Sequence, residues 1–182
     1  MASKKDIRKH VLVKRSAMSK NEWVKKSHLI CEKVTNHPFF LKADEIYCYM
    51  DFRNEVATKE ILEFAWSHQK KVAVPKIQGD TMNFYYINVV DELKEGYFGI
   101  LEPLVEKIAE GENVLVLMPG AAYDDQRHRI GYGKGFYDRF LEKHPNYHTM
   151  ALAFELQMTE NIPAEKHDIC PEIIITEERI LC

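Results

Sequence analysis

The chain has 182 residues, 46% of them hydrophobic and 29% charged, and a formal net charge of −3 at pH 7. That length suits a single domain over residues 1–182, and the acidic balance argues against a nucleic-acid partner. No apolar run approaches the ~20 residues of a membrane span, and the charged N-terminus lacks a secretory h-region, so no membrane partner and a cytoplasmic location are expected.

Residues 4–16 read as a basic helix with Ile7, Val11 and Leu12 on one side. Ser19 opens a second helix, with Glu22 completing a capping box and Met18 and Trp23 as a hydrophobic staple. Trp23, Ser27, Ile30 and Val34 then recur at helical spacing until Asn36-His-Pro38 ends the run. Glu45–Met50 reads as a buried strand. Thr58 is expected to cap a helix whose face is Ile61, Leu62, Ala65 and Trp66. Lys71–Pro75 reads as a short strand ending in proline, and Met82–Tyr86 as another. Val89–Leu93 reads as a short helix or turn, and 96–103 as a loop. Val114-Leu-Val-Leu-Met118 is apolar throughout, as for a strand covered on both faces. Tyr137–Lys143 reads as a helix, and Thr149–Phe154 and Ile173–Thr176 as the last strands. Strands alternating with helices predict an α/β fold with a mainly parallel central sheet. Ligands in such sheets bind beyond the carboxyl ends of the strands.

The most informative segment is Arg129-Ile-Gly-Tyr-Gly-Lys-Gly-Phe-Tyr-Asp-Arg139. Alternating glycines allow close backbone approach to a ligand, and a helix N-terminus directly after them offers N–H groups to an anion. Lys134 adds positive charge, and Asp138 can hold a metal or favour the positive end of the helix. The segment is neither a Walker A loop nor a dinucleotide fingerprint. A glycine-rich turn entering a surface helix is its plain alternative, and the charges around it tip the balance toward phosphate binding.

Other residues are more ambiguous on spacing alone. Lys4 and Arg8 share a helix face at i, i+4, which reads either as a phosphate clamp or, more simply, as a solvated basic face. Asp124 reads as a loop-forming residue. Glu55 sits between a strand and a helix, where it can bind a polar ligand edge or pair with Arg53 or a lysine. Asp168 is a second candidate metal carboxylate or a turn former. Mg²⁺ in nucleotide sites takes one or two carboxylates, with phosphates and waters completing its shell. The four cysteines, Cys31, Cys48, Cys170 and Cys182, form no C-x-x-C pair, and the chain has no H-E-x-x-H or G-x-S-x-G motif, so zinc and serine hydrolases are disfavoured.

Taken together these motifs resemble the 5-formyltetrahydrofolate cyclo-ligase (methenyltetrahydrofolate synthetase) family. The elements that carry the resemblance run in order: Lys4-x-x-x-Arg8, Glu55-Val-x-Thr58, Val72-Ala-Val-Pro75, Gly99-Ile-Leu-Glu-Pro103, Met118-Pro-Gly-Ala-Ala-Tyr-Asp124, Arg129–Arg139, Ala153-Phe-Glu-x-Gln157 and His167-Asp168. The resemblance implies a three-layer α/β/α sandwich like the sugar-phosphate isomerase and CoA-transferase superfold. It implies ATP- and Mg²⁺-dependent cyclisation of 5-formyltetrahydrofolate to 5,10-methenyltetrahydrofolate through a phosphorylated formyl intermediate, releasing ADP and phosphate. It implies ATP binding by Lys4, Lys5, Arg8 and the run Arg129, Ile130, Gly131, Tyr132, Gly133, Lys134, Gly135, Phe136 and Tyr137. Arg8, Arg129 and Lys134 would be the catalytic cations, and Asp138 and Asp168 the Mg²⁺ ligands. Arg8, Met50, Glu55, Phe98 and the 132–136 run would bind folate, with Glu55 on the pterin edge. A monomer is expected. The family often carries glycine where Arg127 stands, and a glycine and a tyrosine where Lys134 and Phe136 stand. A non-catalytic nucleotide- or folate-binding relative is the alternative, and retention of Glu55, Asp138 and Asp168 counts against it.

Overall fold

The computed structural model describes residues 3–96, 99–104, 106–165 and 168–182. Its helices are α1 (Lys4–Ser16), α2 (Lys20–Thr35), α3 (Pro38–Lys42), α4 (Lys59–Ser67) and α5 (Phe136–Lys143). Its strands are β1 (Glu45–Cys48), β2 (Lys71–Gln78), β3 (Thr81–Ile87), β4 (Leu93–Glu95), β5 (Leu101–Pro103) and β6 (Val114–Met118), then β7 (Ala122–Asp124), β8 (Arg129–Ile130), β9 (His148–Leu152), β10 (Met158–Thr159), β11 (Ile173–Ile175) and β12 (Ile180–Leu181).

A seven-stranded sheet in the order β12-β11-β9-β6-β1-β2-β3 forms the centre. Its inner pairs are parallel, and β3 and β12 join antiparallel at the two edges. Period-2 alternation divides its side chains between two cores. Ile46, Leu115, Leu117, Met150, Leu152, Ile173 and Ile175 face α2, α3 and α4. Tyr47, Val114, Val116, Met118, Ala151 and Ile174 face the other way, toward Phe140 and Leu141 of α5. The result is the expected α/β/α sandwich. Among the described residues no helix is long and apolar enough to cross a membrane.

Both long N-terminal helices begin at capping boxes, Ser3 with Asp6 and Ser19 with Glu22. Met18 and Trp23 join the same core cluster, as a staple requires. Thr58 departs from expectation. It stands at the N-cap of α4 without a capping bond, and its amide and hydroxyl both donate to Asp51 Oδ1, at 2.9 and 2.8 Å. Its work is therefore to close the loop after β1. Strand β2 also runs on past Pro75, paired with β3 as far as Gln78. Its pairing with β1 stops at Ala73, so the missing proline N–H lies in a two-stranded ribbon, where it costs little.

A smaller sheet, β10-β7-β8, projects from the segment after β6, where the sequence reads as loop. Helix α1 packs on this sheet rather than on the central one, with Val11 and Ile7 against Ala122, Ile130 and Ile162. The 96–103 segment likewise contains β5, paired antiparallel with β4.

Candidate functional site

The glycine loop joins β8 to α5. Gly133 and Gly135 have φ of 93° and 63°, the left-handed region that favours glycine. Gly135 is the N-cap of α5, and Asp138 falls in that helix's first turn, where a carboxylate suits the positive end. Gly131 needs its small size for a different reason, because a Cβ there would stand 3.1 Å from the Arg129 guanidinium.

Beside this loop lies a cavity of about 370 Å³. Lys4, Arg8, Arg129, Ile130, Gly131, Gly133, Lys134, Gly135, Asp138 and Asp168 all line it, together with Arg139, Glu142 and Glu165, which sequence reasoning did not single out. The solvated-face reading of Lys4 and Arg8 is thus corrected. Arg8 Nε donates to the Gly131 carbonyl at 2.8 Å. Lys4 Nζ reaches Asp168 Oδ2 at 2.6 Å and Glu165 Oε1 at 3.0 Å. Burial pulls the Lys4 pKa down, but the bonds and charges of those two carboxylates outweigh it, and the ammonium ends above the ordinary lysine value. Lys5, one position on, is exposed and does not line the cavity.

Arg129 is 9% exposed. It donates through one terminal nitrogen to Asp138 Oδ1 at 2.9 Å, and that oxygen also accepts from the Ile169 amide at 3.0 Å. Arg129 Nε and the hydroxyls of Tyr123 and Tyr137 are buried without hydrogen-bond partners among the described residues. They are neighbours: the Arg129 guanidinium lies 6.0 Å from the Tyr137 ring, and a Cβ on Gly120 would touch both the Tyr123 hydroxyl and Arg129. Of the three residues only Arg129 lines the cavity, where its guanidinium suits an anionic ligand.

The loop after β1 forms the second part of the site. Glu55 is 8% exposed. Its backbone carbonyl accepts from Trp23 Nε1 at 2.7 Å, and its Oε2 from the Phe52 amide at 2.9 Å. Oε1 accepts from the Tyr132 hydroxyl of the glycine loop. Among the described residues Glu55 forms no ion pair with Arg53 or a lysine, so that reading of Glu55 is corrected. Burial pushes the Glu55 carboxyl up, opposed by Tyr132, by the charge of Arg15 and by the Phe52 amide. Tyr132 therefore joins the two halves, the residue 45% exposed and its hydroxyl inserted. Met50 is buried in the core beneath this loop. Phe136 packs against the α5-side core and carries the Arg139 guanidinium over its ring at 5.3 Å. Phe98 and His167 lie outside the described residues.

Two residues flagged in the sequence prove architectural. Asp124 accepts from the Gln126, His128 and Ile162 amides and from the His128 ring, which fixes the β7–β8 turn. Gln157 is buried and ties Phe154 to the carbonyls of Gly120 and Ala121. Arg127 stands in that turn with φ 65°, a left-handed position natural to glycine. Among the described residues no group of three or more His, Cys, Asp or Glu could hold a metal. Two hard carboxylates on a basic cavity are nevertheless the donor set that Mg²⁺ takes alongside phosphate oxygens and water, so Asp138 and Asp168 fit such an ion.

Comparison with known proteins bears on the family and the fold. The family model described as the 5-formyltetrahydrofolate cyclo-ligase family matches residues 1–177. A 5-formyltetrahydrofolate cyclo-ligase from Mus musculus is 26% identical, over 97% of this chain and 95% of that protein. One from Haemophilus influenzae is 29% identical, over 78% of this chain and 82% of its own. A solved 5,10-methenyltetrahydrofolate synthetase from Aquifex aeolicus superposes with a TM-score of 0.87 at 29% identity, covering 98% of this chain and 91% of that one.

Proposed function

We propose that this chain, which belongs to the 5-formyltetrahydrofolate cyclo-ligase family of ligases, converts 5-formyltetrahydrofolate to 5,10-methenyltetrahydrofolate with ATP as co-substrate and Mg²⁺ as cofactor. The observation that carries this reading is one cavity lined by Lys4, Arg8, Arg129, Lys134, Asp138 and Asp168, linked through Tyr132 to a buried carboxylate, Glu55. The activity belongs to a single 1–182 domain acting as a monomer in the cytoplasm.

The chemistry fits those residues. A formyl oxygen is a poor leaving group, and phosphorylation makes it a good one. The formyl oxygen attacks the γ-phosphorus of ATP, and the bond to the β–γ bridging oxygen breaks to release ADP. N10 then attacks the activated formyl carbon and gives up its proton, and the carbon–oxygen bond breaks to release phosphate. Phosphoryl transfer of this kind needs positioning and charge neutralisation rather than a protein nucleophile. Lys4, Arg8, Arg129 and Lys134 supply the positive charge, and the 131–135 backbone supplies N–H groups at the N-terminus of α5. Asp138 and Asp168 would hold the Mg²⁺, which would supply shielding of the phosphate charge. Glu55 accepts the paired N–H donors of the pterin edge, with Met50, Phe98 and the Tyr132 and Phe136 rings offering apolar surface to the folate.

The test is absorbance in the methenyl-folate band, with purified protein, 5-formyltetrahydrofolate, Mg²⁺ and ATP against an ATP-free control. An ATP-dependent rise is expected. No rise, with ATP binding confirmed separately, would instead make the chain a non-catalytic binding relative.

A further inference from the structure

Lys4, Arg8, Val11 and Arg15 follow one another along a single stripe of α1, and the last of them is as deeply placed as a core residue. Arg15 is 3% exposed. A buried guanidinium requires partners. Among the described residues Arg15 makes no direct ion pair. One terminal nitrogen donates to the Tyr132 hydroxyl at 2.9 Å, and the other to the Arg53 carbonyl at 3.2 Å.

This arrangement fixes the direction of every proton in the chain from α1 to Glu55. Arginine can only donate, so Tyr132 accepts from Arg15 and must give its single proton to Glu55 Oε1. Oε2 already accepts from the Phe52 amide. Both carboxylate oxygens are therefore acceptors of bonds the fold supplies. Each keeps a lone pair for a further donor. Arg15 also holds the Arg53 carbonyl, in a loop where Arg53 and Asn54 both have positive φ, 46° and 57°. It thus sets the backbone that aims Glu55.

We propose that Arg15 is a positioning residue for folate: through the Tyr132 hydroxyl and the Arg53 carbonyl it holds Glu55 ionised and aligned to receive two N–H donors. The proposal rests on the reading that Glu55 binds the pterin edge. The groups facing Glu55 are Tyr132 from the glycine loop, Arg15 from α1, Asp51 and the Phe52 amide from its own loop, and the phenols of Tyr49, Tyr123 and Tyr137. Asp51 works against ionisation, and Arg15 is the cation that opposes it and the burial.

The experiment is the pH dependence of folate and ATP kinetics for wild type, Arg15→Met, Arg15→Lys, Tyr132→Phe and the double variant Arg15→Met with Tyr132→Phe, with Tm measured for each. Met keeps most of the volume and removes the charge. Arg15→Met should raise the folate KM about tenfold or more and the ATP KM much less. The acid limb of kcat/KM for folate should move up by about one pH unit or more, because a carboxyl that has lost its cation protonates at higher pH. Lysine should restore the limb in part. Tyr132→Phe removes the relay with α1 intact, so it should shift the limb the same way. The double variant should fall short of the sum of the two single changes, because part of the Arg15 effect runs through Tyr132. An unmoved limb and folate KM in both single variants would overturn the proposal, as would fully additive effects. If Arg15→Met does not fold, Tyr132→Phe alone decides. Glu55→Gln separates the two claims: if it leaves the folate KM untouched, the pterin reading fails. If it raises that KM while Arg15→Met and Tyr132→Phe do not, only the role of Arg15 fails.

Discussion

Lys134 allows function to be separated from stability more cleanly than any other residue of the cavity. Its side chain is exposed at the cavity wall and its ammonium bonds to no described residue, while its carbonyl accepts from Arg139 at 2.8 Å. Lys134→Ala therefore removes a charge without orphaning a partner, and its carbonyl still holds Arg139. Folding free energy should change by less than about 0.5 kcal/mol. If the ammonium meets a phosphate oxygen, a charge-assisted hydrogen bond is lost, worth about 1.5–3 kcal/mol, or about 10- to 150-fold in kcat/KM for ATP. The folate KM should change less than the kcat/KM for ATP. The assay is initial rate in the methenyl-folate band across an ATP series, with Tm from differential scanning fluorimetry on the same samples. The split is informative, since a loss confined to KM means binding in the ground state and a loss in kcat means contact with the transition state. The deficit should shrink at high ionic strength, because an exposed charge is screened. An unchanged kcat/KM for ATP would remove Lys134 from the phosphate site. A fall in Tm of several degrees would show that it supports the loop instead.

Asp138→Asn keeps an oxygen for Arg129 and for the Ile169 amide but removes the charge. The Mg²⁺ needed for half-maximal rate should rise about 10- to 100-fold, whereas an unaltered Mg²⁺ titration would reassign Asp138 to holding Arg129. Arg127→Gly relieves a left-handed residue whose buried Nε has no partner among the described residues. It should gain about 0.5–1 kcal/mol, a rise of about 1–4 °C in Tm; a lower Tm would show that the arginine side chain stabilises the turn. Burial pushes the Cys31 thiol up to about 12 and holds Cys48 well above its ordinary value, while Cys170 and Cys182 are exposed. A thiol reagent at pH 8 should thus count two fast cysteines in native protein and four in denaturant, and a third fast thiol would mean that the α2 face opens. The raised Lys4 pKa gives stability that is complete below its ordinary 10.5 and is lost as pH rises through the higher folded value. Lys4→Met should therefore flatten the alkaline fall of Tm, and an identical fall in both proteins would deny the ion pair that role.

What the sequence disclosed follows from how local each signal is. Capping boxes lie within four residues, and the Ser19–Glu22 box forms where its spacing places it. The all-apolar run of β6 announces its burial on both faces. Strands β5, β7, β8 and β12 are two or three residues long, too short to leave a period-2 pattern, and each is held by antiparallel pairing with a neighbouring strand across a short turn. Pro75 looks like a terminator, yet β3 carries the strand past it. At the site, the glycine loop and its lysine were legible because backbone conformation restricts residue type there. Arg15 was hidden among the lysines of a basic helix. Its signal lay in its register with Lys4 and Arg8, three turns along one stripe, and nothing local distinguishes it from Lys14 beside it.

The way α1 is fastened has a thermodynamic corollary. Its apolar anchorage is slight, Val11 and Ile7 on the small sheet. Its polar anchors are Lys4 on Asp168, Arg8 on Gly131 and Arg15 on Tyr132, all groups of the proposed site. A ligand in the cavity then bridges the helix to the body, and part of its binding energy appears as protection of the helix itself. Amide hydrogen exchange in residues 4–16 should slow on nucleotide addition far more than in β6, whose amides are sealed between two cores regardless. The first thirteen residues of secondary structure would then behave less as scaffold than as a strap drawn tight by the substrate.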